Sequence, residues 1–202
     1  MPRKAVTARP AASGRDQQME QLVSSFFQLI GEDGSREGLV ETPARVRLAV
    51  DEVFSGYRQD PKKILKTFQK DVCKEMVILK NCEFYSTCEH HLFPFFGHIS
   101  IGYLPNGRIV GISKLARLVD CFARRLQIQE RMTAQIAAAI MDVLDARGVY
   151  VMCEATHFCM TSRGIRKQDA GMVTSAIRGE FEKSESLRLE FLAAVTGNIS
   201  VK

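Results

Sequence analysis

Apolar residues first recur at helical spacing from about Asp16. Met19, Leu22, Val23, Phe26, Phe27 and Ile30 fall on one stripe, and Gly31 and Gly34 supply a stop. A second helix is expected from Thr42-Pro43, a capping residue followed by proline. Val46, Val50 and Val53 lie on its inner face and it stops near Gly56. Residues 60–68 suit a further short helical turn or two. From about Met76 the period changes from helix to strand. Met76–Leu79 and Cys82–Tyr85 read as strands, and His98–Leu104 alternates through Ile99, Ile101 and Tyr103. Pro105-Asn106-Gly107 is a turn signal, with Arg108–Gly111 as the returning strand. Helical spacing then resumes. One helix carries Leu115, Leu118, Val119, Phe122 and Leu126, and the next, from about Gln129 to Ala146, carries Met132, Ile136, Ala139, Ile140 and Val143. Strands over 149–156 and 172–177 and a last helix over 184–195 complete the pattern.

The first 15 residues, MPRKAVTARPAASGR, have no such period and read as a disordered arm. They also lack the apolar core of a secretory leader, and no run approaches the ~18 apolar residues of a membrane span. The expected compartment is the cytoplasm, where thiols stay reduced. The chain has 202 residues, 46% of them hydrophobic, enough for a real core. Lys and Arg number 28 against 23 Asp and Glu, a net charge of +5 that suits an anionic ligand without arguing for nucleic acid.

Six cysteines are present, and in a reduced setting they are available to metal. Cys88 and His91 are spaced to grip one ion from a single turn, and His157-x-Cys159 offers the other half of a site. Three of the four histidines fall in these two segments. Two readings remain open from the residues alone. One is a closed structural Cys2His2 site. The other is an open catalytic site, in which spare imidazoles serve as acid or base near neutral pH. Glu89 reads either as an orienting carboxylate or as a solvated one. Cys73, Cys82, Cys121 and Cys153 read as small buried apolar residues.

A second cluster is basic. Ser113-Lys114-Leu115-Ala116-Arg117 opens a helix, where free N–H groups and the dipole favour an anion such as phosphate; a solvated basic face is the blander reading. Arg163 and Arg166 follow Cys159 closely. Gln129-Glu130 opens the next helix, with Glu130 either a partner for guanine N–H groups or a dipole-placed charge.

Taken together, these segments resemble zinc-dependent GTP cyclohydrolase I. The resemblance rests on Gly31-Glu32-Asp33, Arg36–Leu39, Thr42–Val46, Ser86–His91, Gly111–Arg117, Gln127–Arg131, His157–Met160, Arg163-Gly164 and Glu190–Leu192. It implies an α+β architecture, the tunnelling fold: an antiparallel sheet with two helices on one face. The catalytic domain would span residues 71–202, preceded by a helical region over 16–70 and the arm over 1–15. It implies one Zn2+ per subunit on Cys88, His91 and Cys159, with water in the fourth place. It also implies proton transfer by His90 and His157, and Ser113 near the ribose. Triphosphate contacts would come from Lys114, Arg117, Arg163 and Arg45, and guanine recognition from the Gln129-Glu130 segment. The substrate would be GTP, and the assembly a decamer of two pentamers with active sites between subunits. Ser162 and Ser100 depart from common family residues, and neither falls on a ligand position.

Overall fold

The computed structural model describes residues 14–69 and 74–197. Cys73 and residues 1–13 of the expected arm lie outside the described residues. The chain forms two compact units, divided between Glu52 and Val53. The segment after Val53 packs on a later helix: the Gly56 N–H donates to the Arg124 carbonyl at 3.0 Å.

The first unit contains α1 (Gly14–Leu29) and nearly all of α2 (Thr42–Val53). Gly31 ends α1 with a φ of +77°, the left-handed conformation open to glycine without a Cβ clash. Arg47 ties the two helices, its Nε 3.0 Å from Glu20 and its Nη1 3.7 Å from Asp16. Of the α1 stripe, only Phe27 is buried. Thr42 does not cap α2 as expected. The chain already turns through residues 36–42, so Thr42 enters as a helical residue and its hydroxyl donates back to the Gly38 carbonyl at 3.4 Å.

The second unit begins with a 3-10 turn (Ser55–Arg58), α3 (Pro61–Ile64) and β1 (Thr67–Gln69). Asp60 caps α3, its carboxylate accepting the Lys62 N–H at 3.0 Å. The main sheet has five strands in the order β5-β2-β3-β6-β7. The strands β2 (Val77–Cys88), β3 (Pro94–Leu104), β6 (Gly148–His157) and β7 (Met172–Gly179) pair antiparallel, and the short β5 (Leu126–Gln127) joins β2 in parallel. The two strands expected over 76–85 are one strand with a bulge between Leu79 and Cys82. Asn81 sits in the bulge at φ +53°, and its N–H donates to the buried Ser100 hydroxyl at 3.1 Å.

The strand β4 (Arg108–Val110) does not return along β3 as the turn signal suggested. It pairs with β1 in a separate two-stranded sheet. The reason is that β3 has no free edge there: Tyr103 faces Val77 on one side and Leu104 faces Gly148 on the other. Leu126 likewise leaves the helical stripe, because the helix ends before it and it becomes the first residue of β5.

Helices α4 (Ile112–Ala123) and α5 (Gln129–Leu144) lie on one face of the sheet. Leu115, Leu118, Val119, Met132, Ile136 and Ile140 pack there against Phe84, Phe95, Ile99, Ile101 and Val151. A smaller core uses the alternate strand positions. Tyr150 and Leu104 meet Phe181 of α7 (Glu180–Lys183) and Phe191 of α8 (Glu185–Thr196). This α+β unit, an antiparallel sheet with two long helices on one face, is the tunnelling-fold arrangement. No helix among the described residues is long and apolar enough to cross a membrane.

Candidate metal centre and active site

Cys88 is the last residue of β2, and the chain coils immediately after it. The Leu92 N–H donates to the Cys88 carbonyl at 2.9 Å, and the Cys88 N–H donates to the Phe93 carbonyl at 2.8 Å. This single turn brings Cys88 Sγ and His91 Nδ1 to 3.8 Å. Cys159 arrives from the far side of β3. The register pairs Thr87 with Pro94 and Phe95 with His157, so the ends of β2 and β6 flank the start of β3. One turn of helix, α6 (Phe158–Thr161), then turns Cys159 inward. The ligand atoms of Cys88, His91 and Cys159 all lie within 4.8 Å of one another.

Two thiols and an imidazole are a zinc-type donor set; magnesium and calcium select oxygen. Among the described residues no fourth His, Cys, Asp or Glu joins the group. Three protein donors with a place left for water is the pattern of an open site rather than a closed one. Burial and the neighbouring Cys88 thiol both raise the Cys159 pKa.

Beside this group stands His157. Its ring lies flat on Phe95, with centroids 4.6 Å apart and planes 3° from parallel. Its Nε2 is 2.8 Å from Gln129 Oε1. Burial lowers its pKa, and the Glu130 carboxylate works against that shift. Glu130 itself is exposed in the first turn of α5, whereas Gln129 is only 1% exposed. His90 projects outward from the Cys88 turn, 64% exposed, its Nε2 4.0 Å from Glu89.

Glu89 is held rather than merely solvated. Arg131 binds both its oxygens, and that guanidinium also donates to the Leu126 carbonyl at 3.2 Å and to Gln127 Oε1 at 2.9 Å. The Arg131 hydrogen bond holds the Glu89 carboxyl below the usual carboxylate range. The Glu89 N–H donates to the Gln127 carbonyl at 3.0 Å. The ligand-bearing turn is thus fastened to β5 and to the start of α5. Sequence reasoning gave Arg131, Gln127 and Phe95 no role. The Gln127–Arg131 segment, one of those that carry the resemblance, was the available signal for the first two.

Not every expected site residue joins this group. Arg163 follows Cys159 by four residues, and its charge acts against the upward shift of the Cys159 thiol. Ser113, Lys114 and Arg117 lie in the first half of α4, whose other end leads into β5 beside Cys88. A helix of that length spans roughly 18 Å, so the basic cluster begins at the end of α4 away from the Cys–His–Cys group. Ser113 makes no cap; Gly111 holds the N-cap position. Arg117 instead lines a cleft with Ser55, Gln59, Asp120 and Arg124. Arg45 belongs to the first unit, where it pairs with Glu41 in an exposed contact. Among the described residues, the cysteines outside the site lie in or against the core: Cys121 and Cys153 are fully buried and Cys82 partly so.

The family model for GTP cyclohydrolase I matches residues 19–196. The GTP cyclohydrolase 1 of Wolinella succinogenes is 56% identical over 178 residues, covering 88% of this chain and 95% of that one. The GTP cyclohydrolase 1 of Helicobacter pylori strain G27 is 51% identical over 175 residues, covering 86% and 97%. Among solved structures, an archaeosine synthase QueF-Like in its apo form is similar to 55% of this chain and 97% of its own, with 18% identity and a TM-score of 0.42.

Proposed function

The chain belongs to the GTP cyclohydrolase I family, and on that premise we propose that it opens the imidazole ring of GTP by hydrolysis at C8. C8 leaves as formate, and the ribose rearranges to give 7,8-dihydroneopterin triphosphate, the first step of pterin and tetrahydrofolate biosynthesis. The observation that carries this reading is the Cys88–His91–Cys159 group, its donor atoms within 4.8 Å of one another, with His157 two residues from Cys159 in the same segment.

These three side chains would hold one zinc ion per subunit. When bound, zinc supplies Lewis acidity that makes water a competent nucleophile near neutral pH. The remaining work falls to the protein. His157 and His90 move protons to and from the purine ring nitrogens. Glu130, exposed at the start of α5, accepts hydrogen bonds from the guanine N–H groups. Lys114, Arg117, Arg163 and Arg45 neutralise the triphosphate, and Ser113 meets the ribose. Holding base and phosphates at separate points fixes C8 against the reacting water.

Within the second unit the basic cluster of α4 begins at the helix end away from the Cys–His–Cys group, which supports sites shared between subunits in a decamer of two pentamers. The sheet face opposite α4 and α5 supports self-association too. Tyr85 there is 66% exposed. It stacks on the half-buried Phe96 at 5.8 Å, and Phe96 meets the exposed Phe158 at 5.7 Å, forming an aromatic row. The reading involves neither nucleic acid nor membrane and places the protein in the cytoplasm, where the ligand thiols stay reduced.

The test is incubation of zinc-loaded protein with GTP, following formate and the fluorescence of the oxidised neopterin product together. Cys88→Ser and Cys159→Ser should each lose bound zinc and formate release in parallel. Full formate release with metal retained in either variant would overturn the ligand assignment.

A further inference from the structure

Gln129 lies in the segment expected to recognise guanine, yet its side chain is buried inside the fold. It is 1% exposed, and every polar atom of its amide is engaged. The amide nitrogen donates to the carbonyls of Cys153 and Met172, each at 3.0 Å, and reaches the Thr174 hydroxyl at 3.2 Å. The other face of the amide meets His157, with Oε1 2.8 Å from Nε2.

Elementary chemistry removes the ambiguity in this arrangement. Backbone carbonyls only accept, so the end of the amide facing Cys153 and Met172 must be the NH2 group. The end facing His157 is therefore the amide oxygen, which also only accepts. His157 must then present a hydrogen on Nε2, in the neutral ring as well as in the charged one. Nδ1 has no hydrogen-bond partner among the described residues. The frame that enforces this is rigid. The Thr133 hydroxyl donates to the Gln129 carbonyl at 2.7 Å and lies 2.8 Å from the Thr174 hydroxyl. Phe95, directly across the strand pair from His157, fixes the plane of its ring.

We propose that Gln129 is a positioning residue that acts through His157: it keeps hydrogen on Nε2 and leaves Nδ1 as the nitrogen that exchanges a proton with the substrate. The inference rests on the GTP-hydrolysing reading for the identity of that substrate. The proton passes from Nδ1 to a purine ring nitrogen and leaves a neutral ring with hydrogen on Nε2. Return of a proton to Nδ1 restores the start, and Gln129 neither gains nor loses one. Guanine selection then falls to Glu130, without the Gln129 side chain.

The experiment uses zinc-loaded, 15N-histidine-labelled full-length protein. The His157 signals are assigned by their loss in His157→Asn. The wild-type protein should show His157 protonated on Nε2 and bare on Nδ1, and Gln129→Met should show a mixture of tautomers. In Gln129→Met, kcat for formate should fall on the order of 100-fold, as expected for a misdirected general acid–base group. KM for GTP should move by less than about threefold, and zinc content should stay unchanged. A bare Nε2 in the wild-type protein would overturn the proposal. So would a Gln129→Met variant that keeps kcat and loses GTP affinity, since that result returns the side chain to base recognition. If Gln129→Met does not fold, the wild-type tautomer decides alone. Failure of the GTP reading would appear separately, as a wild-type protein that releases no formate, and the nitrogen signals do not depend on it.

Discussion

Cys153 illustrates how one residue's surroundings set its chemistry. It is fully buried in β6, with Thr133 and Thr174 beside it, and burial pushes its thiol from an ordinary 9.0 up to about 12. The folded protein therefore keeps a proton that the unfolded chain releases above pH 9. The sign follows from linkage. This contribution to stability is complete below the unfolded pKa and is lost as pH rises toward 12, at about 1.4 kcal/mol per pH unit. Urea midpoints measured between pH 8 and 10.5 should fall less steeply in Cys153→Ala than in the wild-type protein. Equal slopes would mean that the thiol titrates normally. The same burial should leave Cys153 unmodified by iodoacetamide in the native state at pH 8.

At the level of elements, two contacts bind the site to the sheet. Arg131 reaches from α5 to Glu89, inside the turn that carries Cys88 and His91. Arg131→Met should loosen that turn while the core of α5 stays packed. Zinc affinity, read by competition with a chromophoric chelator, should weaken about tenfold or more, the usual effect of removing a partner that orients a ligand. Unchanged affinity would return Glu89 to the status of a surface carboxylate. The second contact is a close approach of strands. A Cβ on Gly97 would fall 1.9 Å from the Glu154 carbonyl oxygen, which is backbone and cannot swing aside. Gly97→Ala must part β3 from β6, the pair that aligns Phe95 with His157. A loss of at least about 3 kcal/mol in chemical denaturation is expected, together with loss of bound zinc.

For the whole molecule, activity should depend on assembly, because the basic cluster of α4 and the Cys–His–Cys group sit at different ends of that helix. Charges placed on the aromatic row of Tyr85 and the half-buried Phe96 test this. A Tyr85→Asp, Phe96→Asp variant should sediment as smaller species, keep zinc and release no formate from GTP. Formate release by a zinc-bearing monomer would show one chain to be sufficient.

Much of this protein was readable along the chain. Helical and strand periods located α1, α2, α4, α5 and the strands β3, β6 and β7, because each element buries a face and a buried face leaves its period in the residues. The Cys88 and His91 pair was readable for the same local reason, since a single turn suffices to join them. Other features carried no local trace. The pairing of β4 with β1 followed from the occupied edges of β3, and the fusion of two strands into β2 followed from a bulge tolerated at Asn81. Cys159 meets Cys88 only because β3 lies between their strands in register. The tertiary structure alone also separated Gln129 from Glu130. The two are neighbours in sequence at the start of one helix. One faces inward, where two carbonyls orient its amide against His157, and the other faces out, where a ligand can reach it.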